Sequence, residues 1–151
     1  MRDRIDSTLL AALQENAQVT AQELAERLGL SPSQAARRRL RLEASGVIRG
    51  YRAELDAEAL GLGVQAFVQV QLRNHDSVQS KSFGKLIKAQ PEIVSAWSMT
   101  GDADLLLRVY CQDLASLNHL IHAILLAHGS VSRVHSQIVM NQLKQDAALP
   151  A

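Results

Sequence analysis

The sequence has one cysteine, Cys111, and no long apolar run. A single cysteine excludes an internal disulfide and favours a reducing compartment, so we expect Cys111 to be a small buried strand residue. No apolar stretch approaches the roughly eighteen residues that a membrane span requires, and the N-terminus has no signal-peptide pattern. These absences predict a soluble, cytoplasmic protein with no membrane partner.

The sequence also lacks the signatures of common enzymes. It contains no nucleophile motif, no glycine-rich phosphate loop and no cluster of residues with metal-ligand spacing. Asp102 and Asp104 are candidates for an acid/base pair, but two acids in a hairpin turn more often shape the turn. His119 and His122 lie three residues apart, and without a neighbouring Cys or Glu ligand they are better interpreted as surface histidines. We therefore expect no catalytic activity, no cofactor and no metal site.

Positive charge is concentrated in the first third of the chain. The net charge is only +1, which argues against a protein that coats nucleic acid along its whole surface. Residues 1–52 nevertheless hold nine Lys and Arg against six Asp and Glu, whereas residues 53–151 hold seven against nine. No acid interrupts the arginine run before Glu43, so an i,i+4 ladder of ion pairs does not explain that run. Binding to an anionic partner is thus expected to be local.

The arginines lie on a helix with a defined start. Ser31 is placed to cap this helix, with Pro32 in its first turn. Thr20 and Glu23 have capping-box spacing for the preceding helix, and Gly29 permits a tight turn between the two. An amphipathic pattern predicts an earlier helix with Ile5, Leu9, Ala12 and Leu13 on its inward face. Three helices with this turn predict a helix-turn-helix domain over residues 1–50, whose last helix enters the major groove of double-stranded DNA.

The DNA-binding candidates follow from their positions on that last helix. Residues near the start of a recognition helix usually reach base edges, and arginine can bind a guanine edge or a phosphate with two hydrogen bonds. Arg41, further along, is expected to contact phosphate. The full set of candidates is Ser31, Ser33, Gln34, Arg37, Arg38 and Arg41.

The second half of the chain predicts an α+β domain. Residues 47–55 have the pattern of a short extended ribbon, and residues 51–63 are assigned as a linker before a domain at 64–151. Alternating apolar residues predict a strand from Val64, and later segments predict the order β-α-β-β-α-β, with the second helix over 114–128. This order is the ferredoxin-like arrangement, a four-stranded antiparallel sheet with two helices on one face.

The other face of that sheet is predicted to be uncovered. The larger apolar side chains on the strands fall on the phase opposite Ala66 or on a phase that the pattern does not fix, and they are Phe67, Trp97, Met99, Leu106 and Tyr110. Leu126 is also expected to be exposed on its helix. An apolar surface without helices favours a homodimer or a higher oligomer.

The whole chain resembles the Lrp/AsnC family of transcriptional regulators, also called feast/famine proteins. The residues that carry the resemblance are Ile5-Asp6, Leu9-Leu10, Glu23-Leu24-Ala25, Gly29-Leu30-Ser31-Pro32-Ser33, Leu42-Glu43, Gly46-Val47-Ile48, Gly50-Tyr51, Pro91-Glu92, Thr100-Gly101-Asp102, Asp104, Leu143-Lys144 and Leu149-Pro150. The resemblance implies an N-terminal winged helix-turn-helix, a ferredoxin-like effector domain, and dimers that assemble into tetramers or octamers. It also implies a pseudo-palindromic operator, which two-fold symmetry requires.

The resemblance further implies a small-molecule effector, most often an amino acid, in a cleft between dimers. The matching positions are Gly101, Asp102, Asp104, Leu114, Gln137, Ile138 and Val139. A carboxylate such as Asp104 suits an ammonium group, and turn N–H groups suit a carboxylate. The opposing interpretation, that both acids only shape the hairpin, has equal weight. Two alternatives to an amino-acid-responsive regulator stay open. One is a ligand-independent architectural DNA-binding protein, and the other is a metal- or redox-responsive regulator.

Two departures from the family pattern concern both functional regions. Arg39 stands where an apolar residue is usual and Leu40 where a basic or polar one is usual. The inward face of the recognition helix is therefore expected either to be rotated or to accommodate Arg39 with its charge reaching solvent. Ala103 and Leu105 stand at positions where an aromatic residue is common, which changes the wall of the implied effector cleft.

Overall fold

A computed structural model of the chain describes residues 3–73 and 77–150. The chain divides into two compact units. The N-terminal unit comprises Met1–Glu54 and Leu143–Ala151, and the C-terminal unit comprises Leu55–Gln142. No helix in the described ranges is both long and apolar enough to cross a membrane.

The N-terminal unit is built on three α-helices, α1 (Arg4–Glu15), α2 (Ala21–Leu28) and α3 (Pro32–Ala44). Both predicted caps are present, since Thr20 and Ser31 each form a capping box with the residue three positions on. The helices enclose an apolar cluster in which Leu9 and Leu24 are fully buried. The helix-turn-helix prediction is confirmed.

The C-terminal unit contains β1 (Val64–Leu72), α4 (Ser77–Ala89), β2 (Ile93–Ser98), β3 (Leu105–Cys111), α5 (Leu114–His119) and β4 (Val131–Ile138). The strands form one antiparallel sheet in the order β2-β3-β1-β4. This is the predicted ferredoxin-like order. The helix predicted over 114–128 is interrupted, because α5 continues as a π-helix over Leu120–Leu125.

The two faces of the sheet differ as the alternation predicts. Ala66, Val68 and Val70 point to one face and are fully buried with Leu107 and Cys111 in the core beneath the helices. The strand register places Phe67, Trp97, Leu106 and Tyr110 on the opposite face. Met99 follows β2 and lies beside Leu106. Trp97 and Met99 remain 45% and 46% exposed. No helix of residues 3–73 or 77–150 covers this face within one chain.

The extended ribbon predicted over residues 47–55 is not part of a sheet in the described residues. The segment begins against the end of α3, where the Ile48 N–H donates to the Leu42 carbonyl at 3.1 Å. Ile48 packs against the core of the three helices and not against another strand. An alternating pattern of this length does not form a sheet without a neighbouring strand to supply hydrogen bonds.

The C-terminal segment belongs to the N-terminal unit, although the predicted boundary placed it with the second domain. The side chain of Gln14 on α1 makes two hydrogen bonds to the backbone of Leu149, one to its carbonyl at 3.0 Å and one from its N–H at 2.6 Å. Sequence pattern gives no signal for such a contact, since it joins residues 135 positions apart.

Candidate functional site

The start of α3 is fixed by reciprocal hydrogen bonds. The Gln34 backbone N–H donates to Ser31 Oγ at 3.3 Å, and the Ser31 N–H donates to Gln34 Oε1 at 3.0 Å. Gly29, with φ of 64°, lets the chain leave α2 in the left-handed conformation that the tight turn requires. Ser31 and Gln34, two of the predicted DNA-binding residues, thus use their side chains for the cap. Ser33 is the third exposed polar side chain of this first turn.

One face of α3 is open to solvent, and we call it the outer face. It consists of Ser33, Arg37, Leu40 and Ala44, which are spaced four, three and four residues apart. The opposite side of the helix is buried, with Ala35 at 0% and Leu42 at 3% exposure. Within the described ranges, the guanidinium of Arg37 makes no hydrogen bond or ion pair. It is therefore available to a ligand.

Arg38 and Arg41 instead bind acids from α1. Arg38 Nη1 lies 2.8 Å from both Asp3 Oδ2 and Asp6 Oδ1, and Arg41 Nη2 lies 2.7 Å from Asp6 Oδ2. Asp6 is only 2% exposed, so its charge is compensated almost entirely by these two arginines. The expectation that ion pairs do not explain the run is therefore wrong: Arg38 and Arg41 have acidic partners on α1, and Arg39 pairs with Glu43 four residues on.

The ion pairs between α1 and α3 shift the pKa values of Asp3 and Arg38. The Asp6 backbone N–H and the Arg38 guanidinium lower the pKa of Asp3 below its ordinary value. The hydrogen bonds to Asp3 and Asp6 correspondingly raise the pKa of Arg38. Arg38 side-chain exposure is 24%, against 58% for Arg41, so Arg41 retains the more accessible charge. The cluster joins α1 to α3 and orients the two arginines along one side of the recognition helix.

Arg39 lies on the other inward flank of α3. Its Nε donates to Glu43 Oε1 and to the Tyr51 hydroxyl, both at 3.1 Å, and its Nη1 donates to the Val19 carbonyl at 3.3 Å. The guanidinium also stands 4.9 Å from the centre of the Tyr51 ring. Of the two alternatives at this departure, the helix is not rotated. Arg39 is accommodated by polar partners, while Leu40 points to solvent.

The Arg39 partners are themselves coupled. The Tyr51 hydroxyl donates to Glu43 Oε1 at 2.8 Å. This bond, followed by that from Arg39, lowers the pKa of Glu43. Burial and the bond to Glu43 raise the pKa of Tyr51. Tyr51 thus adds a second attachment of the segment after α3 to the recognition helix, beyond the one at Ile48.

Two hollows lie on the uncovered face of the C-terminal sheet, beside the turn that joins β2 to β3. One has a volume of about 240 Å³ and the other about 260 Å³, and Gln69, Asp102 and Ala103 line both. Gln71, Arg133 and His135 complete the first, and Met99, Thr100 and Leu106 complete the second. Ala103 is the position where the sequence lacks the expected ring, and it lies in the shared wall. Arg133 and His135 were missed from the sequence, although their alternation on β4 places them on this face.

Asp104 is occupied in holding the sheet together. Its Oδ2 accepts a hydrogen bond from the Leu72 N–H at 2.7 Å, and its own N–H donates to the Val70 carbonyl at 3.0 Å. Its carbonyl accepts from the Met99 N–H at 2.9 Å. These bonds fasten the turn to the end of β1. Asp102, by contrast, is exposed and faces the hollows.

The seven predicted effector residues fall into two groups within one chain. Gly101, Asp102 and Asp104 lie at the end of β1, where Asp104 bonds to Val70 and Leu72. The remaining four, Leu114, Gln137, Ile138 and Val139, lie near the start of β1, because Ile138 pairs with Ala66 and Val64 pairs with Cys111. At about 3.3 Å per residue, six strand residues separate the groups by roughly 20 Å. That distance exceeds the length of a free amino acid.

The two histidines considered as a metal edge are exposed, His119 at the end of α5 and His122 in the π-helix. Among residues 3–73 and 77–150, no group of three or more His, Cys, Asp or Glu side chains is arranged to hold a metal ion. Cys111 is buried on β3, as predicted, and burial raises the pKa of its thiol.

Comparison with known proteins gives matches to both units. A model described as winged helix-turn-helix DNA-binding matches residues 2–49, and one described as the Lrp/AsnC ligand binding domain matches residues 65–149. The chain is 37% identical over 142 residues to the leucine-responsive regulatory protein of Rhizobium meliloti, covering 94% of this chain and 91% of that protein. It is 34% identical over 150 residues to the DNA-binding transcriptional activator DecR of Escherichia coli K12, covering 99% of each.

Solved structures match over nearly the full length. A transcriptional regulator from Neisseria meningitidis, solved in complex with L-Met, superposes with a TM-score of 0.95 at 35% identity, covering 99% of this chain and 97% of that one. An AsnC family transcriptional regulator from Agrobacterium tumefaciens gives a TM-score of 0.91 at 32% identity, with the same coverage.

Proposed function

This chain belongs to the Lrp/AsnC family of DNA-binding transcriptional regulators, and from that premise we propose how it contacts DNA and its effector. It is a regulator and not an enzyme. The observation that carries the proposal is the outer face of α3, which follows a capped turn and presents the guanidinium of Arg37, exposed and without an ion pair among the described residues. Ser33 and Arg37 contact base edges in the major groove, and Arg41 contacts a phosphate. Ser31, Gln34 and Arg38 support these contacts by holding the helix start and its inward side.

The test is a set of single alanine substitutions assayed on a DNA sequence selected by the wild-type protein. Arg37→Ala is expected to weaken cognate binding by about 1 to 3 kcal/mol and to change base preference, since it removes a direct contact. Arg41→Ala is expected to weaken all sequences alike and to reduce the salt dependence by about one unit of slope. Lys88→Ala is the matched control, because it removes one exposed charge from α4. Equal affinity of all these variants, with helicity retained, contradicts the assignment.

We propose that the effector is an amino acid or a related small metabolite bound between dimers. The support is the separation of the two groups of effector residues, which a single small ligand can touch together only if different subunits supply them. In this arrangement Asp102 and the turn N–H groups meet the polar end of the ligand, and Leu114 with Ile138 line the side-chain pocket. Differential affinity for the assembled state then couples the effector to DNA binding.

Calorimetry with the twenty amino acids tests this effector proposal. Asp102→Ala is expected to weaken binding, whereas Asp104→Asn separates the two roles of Asp104, because the amide oxygen still accepts from the Leu72 N–H while the charge is gone. Loss of binding in Asp104→Asn with an unchanged fold assigns the charge to the ligand. Absence of binding by any amino acid to the wild type leaves the ligand-independent alternative.

We propose that the protein is at least a dimer, associated through the uncovered sheet face, and that dimers assemble further into a tetramer or octamer. Trp97 and Met99 are large exposed apolar side chains on that face. A two-fold dimer presents two α3 helices to a pseudo-palindromic operator. Sedimentation velocity that finds only 16.5 kDa species at micromolar concentration contradicts this proposal.

We propose the cytoplasm as the location of this regulator, since it acts where chromosomal DNA is accessible. Fractionation of cells that express the chain at its native level tests this, with the expected result that it co-fractionates with cytoplasmic and nucleoid proteins.

A further inference from the structure

An exposed leucine stands in the middle of the surface that binds DNA. Leu40 is 64% exposed on the outer face of α3, one turn beyond Arg37. The residues four positions to either side of it, Ala36 and Ala44, are small, so its side chain projects beyond both of them. A leucine placed this way presents apolar surface to whatever α3 contacts.

The arginines next to Leu40 in sequence do not cover it. Arg39 is drawn towards Glu43 and Tyr51 on one flank, and Arg41 is drawn towards Asp6 on the other. Arg37 and Leu40 therefore share the outer face as an exposed cation and an exposed apolar side chain. Their separation along the helix axis is about 4.5 Å, from three residues at about 1.5 Å each.

This spacing is close to one base-pair step of about 3.4 Å along a DNA strand. In the major groove, the apolar group that a base pair offers is the C5 methyl of thymine, and arginine is best matched to the O6 and N7 of guanine. Arg37 and Leu40 are thus spaced to contact a guanine and a thymine that lie one or two base pairs apart.

We propose that Leu40 is a specificity-determining residue that packs against a thymine methyl group, one or two base pairs from the base bound by Arg37. The inference rests on the proposed binding of α3 in the major groove. Leu40 then selects an A·T pair by burying one methyl group, and it makes no hydrogen bond to the base.

Uracil substitution isolates this methyl group. Duplexes selected from a randomised library by the wild-type protein are synthesised with deoxyuridine in place of one thymidine at a time, which removes the methyl group and leaves base pairing unchanged. At one position, the substitution is expected to weaken wild-type binding about fourfold, the value for one buried methyl-sized group. In Leu40→Ala the same duplex is expected to show no such loss.

Arg37→Ala is the matched control, since it keeps Leu40 and should retain the uracil effect on a weaker background. An equal loss in wild type and Leu40→Ala assigns the methyl contact to another group and overturns the inference, as does a wild type insensitive to uracil at every position. In either case selection of a defined sequence leaves the proposed function intact. Failure to select any sequence overturns the proposed function, and the Leu40 inference falls with it.

Leu40 is exposed, so Leu40→Ala is expected to fold normally, which circular dichroism verifies.

Discussion

The two units of this regulator are held together by different interactions. In the N-terminal unit, a small apolar cluster is supplemented by charged side chains that cross between helices, above all Asp6 with Arg38 and Arg41. In the C-terminal unit, alternate residues of β1 and β3 are fully buried beneath the helices. Two of the α3 arginines thus stabilise the packing of the helix that carries them. The comparison shows why charge alone is a poor guide to DNA contacts: an arginine in a recognition helix can equally serve the fold.

The largest expected effect tests the C-terminal half of this comparison. Leu107→Ala removes a fully buried side chain from the core, and we expect the free energy of unfolding to fall by about 3 kcal/mol at every protein concentration. Leu106→Ala is the control one residue away on the uncovered face. Its stability loss should depend on protein concentration, because it mainly weakens association. Urea denaturation at two concentrations separates the variants, and equal, concentration-independent losses refute the assignment of faces.

The second prediction tests the N-terminal half. Asp6→Asn keeps the shape of the side chain but leaves Arg38 and Arg41 without their shared buried acid. We expect a loss of about 2 kcal/mol, below the value for a fully buried pair because both arginines retain contact with water. Glu15→Gln, which breaks the exposed pair with Arg27, should cost less than about 0.5 kcal/mol. Thermal unfolding of the two variants side by side measures this, and equal losses contradict a central role for Asp6.

A smaller effect is expected at Tyr51. Tyr51→Phe removes the hydroxyl that joins Arg39 to Glu43, at a cost of about 1 kcal/mol. Tyr110→Phe is the matched change in the C-terminal unit, where the hydroxyl accepts from Arg108 at 2.7 Å. Hydrogen exchange resolved by segment should show faster exchange around α3 in the first variant and around β3 in the second. If Tyr51→Phe leaves α3 exchange unchanged, the tyrosine does not hold the following segment on the helix.

Acidification should distinguish the units without any substitution. The pKa values of Asp3, Glu23 and Glu43 in the N-terminal unit are lowered by hydrogen bonds to their charged forms. A carboxyl group with a lowered folded-state pKa stabilises the fold above its unfolded value, here 3.8 or 4.5, and the stabilisation is lost as pH falls through the folded value. In the C-terminal unit, the hydrogen bond from the Ser116 N–H lowers the pKa of Asp113 in the same way. We expect exchange protection to fail first in α1 to α3 below about pH 4, and earlier failure in the sheet contradicts this.

Local chemistry was predictable from the sequence, and partners distant along the chain were not. Capping residues such as Ser31, the turn at Gly29 and the two faces of β1 follow from rules that involve neighbouring residues. Asp6 lies 32 residues before Arg38, so no local rule connects them. The same limit applies to the effector residues. The two groups lie at opposite ends of β1. Only the pairing of the strands shows this, because the residues of each group come from different parts of the sequence.

The hydrogen bonds between Gln14 and Leu149 bear on how parts of such regulators can be exchanged. Since the chain leaves the N-terminal unit after Glu54 and rejoins it at Leu143, the C-terminal unit is an insertion in terms of chain connectivity. A chimera that grafts the sensor of one relative onto the DNA-binding helices of another therefore needs two matched junctions. A graft joined only near Glu54 would place a C-terminal segment from the other relative beside Gln14. Helix α1 would then lose its native contact with Leu149.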